Sequence, residues 1–515
     1  MAPPVTPPLD EHRLAGVLRP IWETALGRAV ETDEDFFEAG GDSLTALAVA
    51  SAVTRATGRT VPAGWLYRNP RLVDAVRSLL QAEAVGISTP VPQPRQGHHP
   101  LSFQQEGLLD VIGHIGGRHR YQVAYAVALD PSVDAGRLQA AWERLPDRHP
   151  VLATRLAHHG AERVQDVSTA PPSLETIVAT RHGEVAQETD RWASATIALD
   201  DALVRAGLVR GADGSQLVLA AHQMMMDPWS WGLLLQDLSA LYTSPDAEGA
   251  PELAYSDYAR WQRTHLIGEA YARHLDFWRG TADGFPADGM RLPGARGGAG
   301  PAGPAARLPL HIPHARAAAL ENRARAAGAS LFEVLLTLFK LAVGRWTGID
   351  DVLVASATAS RTAAGTQDVA GFFVNGRFTR TRLSAGTVAD LVDQVKQSWR
   401  AADEHRELHL EKTLFDLGRP DMANVKFSLN TVPGLAQLPS LGGQRLRAVP
   451  VTGDASARRH LSVGLTRVGG ALAGAVTYRT DVLGRDVVAE LLGGFDRAQR
   501  AFAADPDQHI ALTTH

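Results

Sequence analysis

The chain has 515 residues and a formal net charge of −5, which argues against a nucleic-acid-binding protein. It contains no cysteine, so disulfides and thiolate metal sites are excluded. The first residues lack the pattern of a signal peptide, and no apolar run reaches the ~18 residues that span a bilayer. We therefore expect a cytoplasmic protein without a membrane partner. No group of histidines shows metal-ligand spacing, so no metal site is predicted.

Stretches rich in proline and glycine divide the chain. Residues 1–9 have the composition of a disordered leader, and residues 85–99 that of a semi-rigid linker in which proline alternates with polar residues. Between them, residues 10–84 carry apolar side chains at helical spacing in three segments, which predicts a small all-α bundle. Further along, residues 281–307 predict a surface loop or crossover.

Helical and strand patterns alternate from residue 100 onward. Residues 121–130 and 216–222 have the composition of strands, and GADGSQ at 211–216 is typical of a hairpin turn. Residues 331–346 form a strongly apolar helical segment, followed by a further strand at 351–358. This alternation predicts an α/β architecture with sheets covered by helices, so the expected fold is multidomain, with an all-α unit before an α/β unit.

The sharpest local motif is FFEAGGDSL, which ends in Gly41-Asp42-Ser43-Leu44. The glycines permit a tight turn, so that Ser43 lies where a helix begins. Unpaired N–H groups and the positive end of the helix dipole favour a phosphate at such a position. The alternative is that Asp42 or Ser43 is only a helix N-cap.

Residues 10–84 as a whole resemble a peptidyl carrier domain, a four-helix bundle. The resemblance rests on FFEAGGDSL and on the later segment GRTVPAGWLYRNPRL. It implies that 4′-phosphopantetheine is attached to Ser43, with Gly41, Asp42 and Leu44 around it, and carries an aminoacyl or peptidyl thioester. A phosphopantetheinyl transferase is the implied partner, and the acidic residues before the motif would dock to basic surfaces.

Residues 100–515 resemble the condensation domains of nonribosomal peptide synthetases. Segments similar to the family's motifs occur in family order: PLSFQQEGLL, DRHPVLATR, AYSDYARWQR, VAGFFVNGRFTR, EHRELHLEKTLFDL and VKFSLNTV. The resemblance implies two chloramphenicol-acetyltransferase-like lobes in a V shape, with a channel between them. We place the N-lobe at 100–275 and the C-lobe at 276–515.

The third motif departs from the family pattern His-His-x-x-x-Asp-Gly. Aligned on Asp227, the first histidine is His222, the second position holds Gln223, and Pro228 replaces the glycine. A carboxamide does not titrate near neutral pH, so Gln223 cannot be a general base, although it can orient a nucleophile by hydrogen bonding. Any catalytic role therefore falls to His222, Gln223 and Asp227 in a degenerate site.

Two residues around this motif have structural interpretations. Asp227 followed by Pro228 is typical of a helix start, with the aspartate as N-cap and proline in the first turn. The family resemblance instead implies that this aspartate supports the motif loop through an arginine, for which Arg361 is the candidate. The run Met224 to Met226 is either core packing or a narrowing of the acceptor channel.

Two functional hypotheses follow. In one, the domain is a platform that presents the tethered substrate to tailoring enzymes acting in trans. In the other, it is a divergent acyltransferase that passes the acyl group to an amine on a trans carrier protein, or cyclises it off. Since no adenylation domain lies before Ser43 in this sequence, we expect amino-acid loading by an adenylation domain in trans. Nucleic acid is not an expected partner.

Overall fold

The structure is a computed structural model of the chain. It describes residues 10–36, 39, 43–57, 59, 61, 65–81, 89–116, 121–167, 174–247, 249–297, 300–361, 363, 365–384, 386–430, 438–451, 456–507 and 509. The predicted leader, 1–9, lies outside the described residues.

Four helices form the first unit: α1 (Glu11–Leu26), α2 (Ser43–Thr57), α3 (Trp65–Arg68) and α4 (Leu72–Gln81). Asp10 caps α1 by accepting a hydrogen bond from the Arg13 N–H at 2.8 Å, and Gly27 ends the helix in the left-handed conformation. A separate apolar core holds these helices together, with Leu18, Trp22 and other side chains fully buried. The all-α unit predicted for residues 10–84 is thus a four-helix arrangement.

The remaining chain alternates helices and strands. Its helices are α5 (Phe103–Ile115), α6 (Ala135–Arg148), α7 (Glu184–Ser194), α8 (Pro228–Thr243), α9 (Tyr255–His265), α10 (Gly268–Ala282), α11 (His314–Ala326), α12 (Leu331–Thr347), α13 (Val388–Glu404), α14 (Leu410–Asp416) and α15 (Arg485–Ala504). Its strands up to the middle of the chain are β1 (His98–Pro100), β2 (Gln122–Leu129), β3 (Arg155–His159), β4 (Glu162–Asp166), β5 (Leu174–Val178), β6 (Val204–Gly211), β7 (Gly214–His222) and β8 (Gly303–Ile312). The later strands are β9 (Asp351–Ala359), β10 (Val374–Arg382), β11 (Val425–Asn430), β12 (Ser440–Leu441), β13 (Gln444–Arg445), β14 (Arg447–Val449), β15 (Ser456–Ala457), β16 (Leu461–Val468) and β17 (Ala471–Arg479).

The first large sheet has five strands in the order β14-β2-β7-β6-β5. Strands β6 and β7 form the hairpin that GADGSQ predicts, with Gly211 opposite Gly214. Helix α8 packs on this sheet in one core that also includes the side chains of Ala363, Phe372 and Phe373. The edge strand β14 and these three residues lie far beyond residue 276, so the boundary predicted there does not separate the two sheets completely.

The second large sheet has seven strands in the order β10-β9-β11-β16-β17-β8-β15. The apolar helix α12 lies in the main core beside it, where Phe339 stacks on Phe427 of β11 at a centroid distance of 5.0 Å. Continuous burial of α12 explains its almost uniformly apolar sequence. The α/β architecture predicted for this region is confirmed.

Two predicted irregular stretches overlap strands. The predicted linker 85–99 ends in β1, which pairs with β4, and the predicted loop 281–307 ends in β8, which pairs with β17 along its length. Pro304 and Pro309 conceal β8 in the sequence because proline cannot donate a ladder hydrogen bond. The strand tolerates them near the edge of the sheet, where β15 covers only Gly303 and Pro304.

Within the part of the chain that the structure describes, no single helix has the length and apolar character needed to cross a membrane. One pair, α11 with α12, passes that test only as two helices bent by 103°.

Candidate functional site

Ser43 is the first residue of α2, a helix of 15 residues. This backbone position fits a phosphodiester, because the N–H groups of a first helical turn have no partner within the helix. Leu44 follows in the same turn, whereas Gly41 and Asp42 lie outside the described residues. The backbone thus fits the cofactor that the sequence predicts, and the role of each of these residues stays a prediction.

The degenerate motif forms the link between β7 and α8. Strand β7 ends at His222, and Asp227 is the N-cap of α8, accepting a hydrogen bond from the Ser230 N–H at 2.9 Å. Pro228 occupies the first turn, where its missing N–H costs nothing. The predicted helix start is confirmed, and it fixes the position at which the motif loop ends and α8 begins.

Asp227 is also the centre of a buried network that joins the two halves of the α/β unit. Its two carboxylate oxygens accept hydrogen bonds from Arg361 at 2.9 and 3.1 Å, and Oδ2 accepts another from the Phe373 N–H at 3.1 Å. The Ser230 hydroxyl donates to Oδ1 at 2.7 Å. Asp227 is 3% exposed, so its acceptor capacity is committed to holding the loop and helix together.

Arg361 is the partner that the family resemblance suggested for Asp227. It is 1% exposed, and its guanidinium lies over the Phe373 ring at 4.2 Å. Gly371 lies in the same connection between β9 and β10 as Arg361, and a Cβ atom at this position would come within 2.2 Å of the Tyr255 ring. Only glycine therefore fits at this crossing of the two halves.

His222 is held inside this frame. Its side chain is 2% exposed, and its Nδ1 accepts a hydrogen bond from the Met224 N–H at 3.3 Å. Nδ1 of His222 thus binds the backbone of the motif loop, and this hydrogen bond stabilises the conformation of the loop. The three methionines that follow are fully buried in the core around α8. They are core residues, and of the two interpretations of Met224 to Met226, core packing fits their burial.

Gln223 is the most accessible residue of the loop before Pro228, and it is half-buried. Its N–H donates to the carbonyl oxygen of Tyr121 at 2.6 Å, and no side-chain hydrogen bond of Gln223 is found among the described residues. Tyr121 has a φ of 48°, the only positive value at a non-glycine residue in the described chain. Such strain persists only where the surroundings enforce it.

Sequence reasoning missed the residues that support the loop from the opening motif. Ser102 and Gln105 form a capping box at the start of α5, and the Gln105 amide donates to the Met224 carbonyl at 3.2 Å. The hydroxyls of Ser102 and Tyr255 lie 2.7 Å apart, and Tyr255 donates to the Phe372 carbonyl at 2.7 Å. The capping box was visible in PLSFQQ, but its contact with a loop 119 residues away was not.

A second buried polar group lies beside Tyr121. Both Arg458 and Arg459 bind the carboxylate of Glu411, the latter at 2.7 Å. Burial alone would raise the pKa of Glu411, but the two guanidinium groups hold this pKa down to about 2. Burial lowers the pKa of the neighbouring Lys426 to about 8, with a further contribution from Arg459. We call these four residues the Glu411 cluster.

Burial raises the pKa of the Tyr121 phenol to about 12, and the charges that act on it are those of Arg458, Glu411 and Arg459. Tyr121 therefore connects two features: its backbone oxygen binds Gln223, and its side chain lies against the Glu411 cluster. No group of three or more histidine or carboxylate side chains in the described residues is arranged to hold a metal ion.

Comparison with known proteins agrees with this architecture. Residues 95–514 match the family model described as Condensation domain, and residues 16–79 match the model described as Phosphopantetheine attachment site. The chain therefore belongs to the condensation-domain family and carries a phosphopantetheine attachment domain before the condensation domain. It is a carrier–condensation piece of the nonribosomal peptide synthetase type.

Among curated proteins, the chain is 29% identical over 530 residues to a component of the linear gramicidin synthase of Brevibacillus parabrevis. That match covers 95% of this chain but only 7% of the relative, so the chain spans a small part of the proteins it resembles.

Among solved structures, the X-domain from teicoplanin biosynthesis superposes with a TM-score of 0.71 at 21% identity, covering 82% of this chain and 98% of that one. The complex of the X-domain and OxyB from the same biosynthesis gives a TM-score of 0.72 at 21% identity, covering 83% and 98%. At this level of identity, the likeness shows a shared fold.

Proposed function

We propose that this chain tethers an aminoacyl or peptidyl thioester on phosphopantetheinyl-Ser43, and that its condensation domain is a platform presenting this substrate to a tailoring enzyme acting in trans. A phosphopantetheinyl transferase and other synthetase components are the partners that the carrier domain implies.

The observation that carries the platform proposal is the state of the motif loop. Gln223 offers no titratable group where the family pattern has its second histidine. Asp227 is committed to Arg361, Ser230 and the Phe373 N–H. One nitrogen of His222 accepts from the loop backbone. The contacts that hold the motif loop are therefore present, while the titratable imidazole of the family pattern is replaced by the carboxamide of Gln223. Losing this group would impair acid–base catalysis, but it would not impair the binding of a protein partner to the surface of the domain.

The structural likeness to an X-domain also supports this proposal. One such domain is described in complex with a second protein, OxyB, and it covers 83% of this chain. By analogy, a condensation fold can hold a protein partner, and the tethered arm would bring the substrate to it.

A divergent acyltransferase is the second candidate, and the accessibility of Gln223 favours it. Its half-buried carboxamide, without a side-chain partner among the described residues, is able to orient an attacking amine. Orientation by itself supplies several kcal/mol in reactions of this kind. In this version the acyl group leaves Ser43 for a trans carrier acceptor or is cyclised off.

Intact-protein mass analysis separates the two candidates. The full chain is converted to its holo form, loaded with a peptidyl group, and incubated with an amine acceptor or with a candidate tailoring enzyme. The platform proposal expects the mass of the acyl group to stay on the chain with the acceptor and to change with the tailoring enzyme, and Gln223→Ala to have no effect. Loss of the acyl group to the acceptor, abolished by Gln223→Ala, would establish the acyltransferase instead.

Ser43→Ala is the matched control for both outcomes. It removes the proposed attachment point, so no phosphopantetheine mass should be added and neither reaction should occur. If the transferase still modifies Ser43→Ala, the tether lies elsewhere and both candidates lose their substrate site.

A further inference from the structure

Strand β2 is covered by its outer neighbour β14 over only part of its length. On the inner side, β7 pairs with β2 from Gln122 to Leu129. On the outer side, β14 pairs with residues 126–128 alone. Pro450 follows β14 directly, and its nitrogen has no hydrogen to continue the ladder. The outer side of β2 from Gln122 to Tyr125 therefore faces no described strand, and we call this stretch the free edge.

The backbone groups that point out of the free edge follow from one hydrogen bond. The Gln223 N–H donates to the Tyr121 carbonyl oxygen at 2.6 Å, so the main chain of Tyr121 faces β7. In an antiparallel ladder, the N–H and C=O of one residue point to the same side, and the side alternates along the strand. Gln122 and Ala124 therefore direct both groups outward. Ala126, the next residue in this alternation, pairs with β14, which agrees with the assignment.

The outward groups of the free edge have no partner in the part of the chain that the structure describes. Beyond the sheet ladder, no main-chain hydrogen bond of Gln122 or Ala124 is found among the described residues. Two N–H and two C=O groups thus lie along about 7 Å of strand. Each residue from 122 to 125 is half-buried. Strand backbone in such a position is normally paired, so the free edge has the form of a docking site for one more strand.

The spacing of these groups defines the chemistry of an occupant. An extended peptide exchanges hydrogen bonds with Gln122 and Ala124 through two residues that are themselves two positions apart, while the residue between them points away. A single aminoacyl group cannot reach both positions. Strand β14 binds the same edge in this manner, so a peptide on the free edge would continue an interface that already exists.

The surroundings of the free edge place such a peptide close to the motif loop. Tyr121, which binds Gln223, directly precedes the free edge. Val123 and Tyr125 share the face of the sheet on which Tyr121 lies, because they follow it at intervals of two. All three pack, half-buried, against the core around α8. A strand on the free edge would lie about 10 Å from the backbone of Gln223, which is two strand spacings. No residue from 122 to 125 is charged, so the occupant is a neutral, apolar peptide.

We propose that the free edge binds the peptidyl part of the thioester on phosphopantetheinyl-Ser43 as an added β-strand. The inference rests on the proposed tether and names its substrate class: a peptidyl group of at least three residues, with apolar side chains toward Val123 and Tyr125, and not a single aminoacyl group. A peptide held in this way is extended, and its alternate side chains point to opposite faces of the sheet. This arrangement suits presentation to a partner and equally delivery of the acyl end toward Gln223.

Hydrogen–deuterium exchange, resolved to single residues by mass spectrometry, tests the pairing on the full holo chain. The arm is loaded with an acetyltrivalyl group or with an acetylvalyl group, and intact mass verifies the loading. The tripeptidyl group should slow exchange of the Gln122 and Ala124 N–H groups by about tenfold, as a new hydrogen bond would. The acetylvalyl group should leave both rates unchanged. The outer strand β5 at the opposite edge of the same sheet is the internal control, and its rates should not change.

Two N-methylated isomers of equal mass are the matched ligands. Methylation of the second valine should preserve the protection, because the N–H of this residue points away from β2. Methylation of the third valine removes a donor to β2 and should abolish the protection. A peptide that only lies near the sheet, without strand pairing, would not distinguish the two isomers.

Ala124→Pro gives the complementary test on the protein. It removes the outward N–H without removing a hydrogen bond to β7, so protection of the Gln122 N–H should be lost. Ala124→Gly keeps the N–H and is the matched control, in which the protection should remain. If Ala124→Pro fails to fold, the two ligand isomers still decide the outcome.

Intact mass separates a failure of this inference from a failure of the proposed function. If Ser43 accepts no phosphopantetheine, the tether is wrong, and free acetyltrivaline amide in the same exchange experiment decides whether the free edge binds a peptide at all. Protection by the loaded arm that distinguishes the isomers supports the inference. Absence of protection in the loaded protein, equal protection by acetylvalyl, or equal protection by both isomers would overturn the assignment of the free edge to the tethered substrate.

Discussion

Two buried ion clusters lie behind the degenerate motif, and they differ in how their charges are matched. At Asp227, one carboxylate meets one guanidinium, that of Arg361, and both oxygens accept further bonds. At Glu411, one carboxylate meets two guanidinium groups, those of Arg458 and Arg459. The two clusters therefore differ in how many buried cations a single carboxylate neutralises, and loss of that carboxylate leaves one buried guanidinium group without it in the first cluster and two in the second.

The largest effect is expected at the balanced cluster. Asp227→Ala leaves Arg361 charged and buried without its carboxylate, which should lower the free energy of unfolding by about 3–5 kcal/mol. Urea unfolding of the full chain measures this change. Arg361→Met in the Asp227→Ala background should recover part of the loss, because the orphaned charge is gone. If the loss in free energy of unfolding of the double variant equals the sum of the losses of the two single variants, the unpaired charge of Arg361 is not the cause of the instability.

Lys340 on α12 is a further buried cation, and it has no carboxylate among its hydrogen-bond partners. It is 0% exposed, and its ammonium donates to oxygens of Thr379 and Thr381 at 2.7–2.9 Å. Burial lowers its pKa from 10.5 to about 7. Between these values the unfolded chain binds more protons than the folded chain, so the stability contributed at this site rises with pH. Below pH 7, Lys340 is protonated in both the folded and the unfolded chain, so the free-energy cost of burying its charge no longer changes with pH.

Lys340→Met should therefore gain stability relative to the wild type at pH 7 and lose that advantage as the pH rises. The difference in unfolding free energy between the two proteins is expected to shift by about 2–3 kcal/mol between pH 7 and 9. Denaturant unfolding at several pH values checks this shift. Lys396→Met is the control: this lysine is partly exposed, pairs with Asp393 and donates to the Ala327 carbonyl, so the same substitution is made where the ammonium has a carboxylate partner.

The unbalanced cluster should show a smaller effect, and here too stability rises with pH, but in an acidic range. The pKa of Glu411 is lowered from 4.5 to about 2, so the stability that it contributes is complete above pH 4.5 and is lost as the pH falls toward 2. The stability difference between wild type and Glu411→Gln should shrink by about 1.5–2 kcal/mol between pH 4.5 and 3. A difference that stays constant over this range would mean that Glu411 is not held as a carboxylate by the two arginines.

Gln223→Ala should have the smallest effect on stability. Its side chain is half-buried and makes no hydrogen bond to the described residues, so the change should lie within about 0.5 kcal/mol. Thermal unfolding of Gln223→Ala and of Asp227→Ala under the same conditions compares the two residues of this loop. A loss comparable to that of Asp227→Ala would make Gln223 a structural member of the network.

Much of the local structure could be predicted because its signals are short-range. The dipeptide Asp227-Pro228 indicates the start of α8. Ser330 and Glu333, which form a capping box, indicate the start of α12. Continuous apolar character identified α12 and the strand β9. Strand β8 was missed because Pro304 and Pro309 suppress the strand signal, although a near-edge position tolerates them.

By itself, the sequence determined a helical unit with a serine at the start of a helix, an α/β unit behind it, and a motif in which Gln223 stands in place of a histidine. Only the tertiary structure decided which charges meet. Glu411 and Arg458 are 47 residues apart, and Asp227 and Arg361 are 134 apart. Ion pairing depends on distance and burial in space, and neither can be read from spacing along a chain when separate strands and loops bring the partners together.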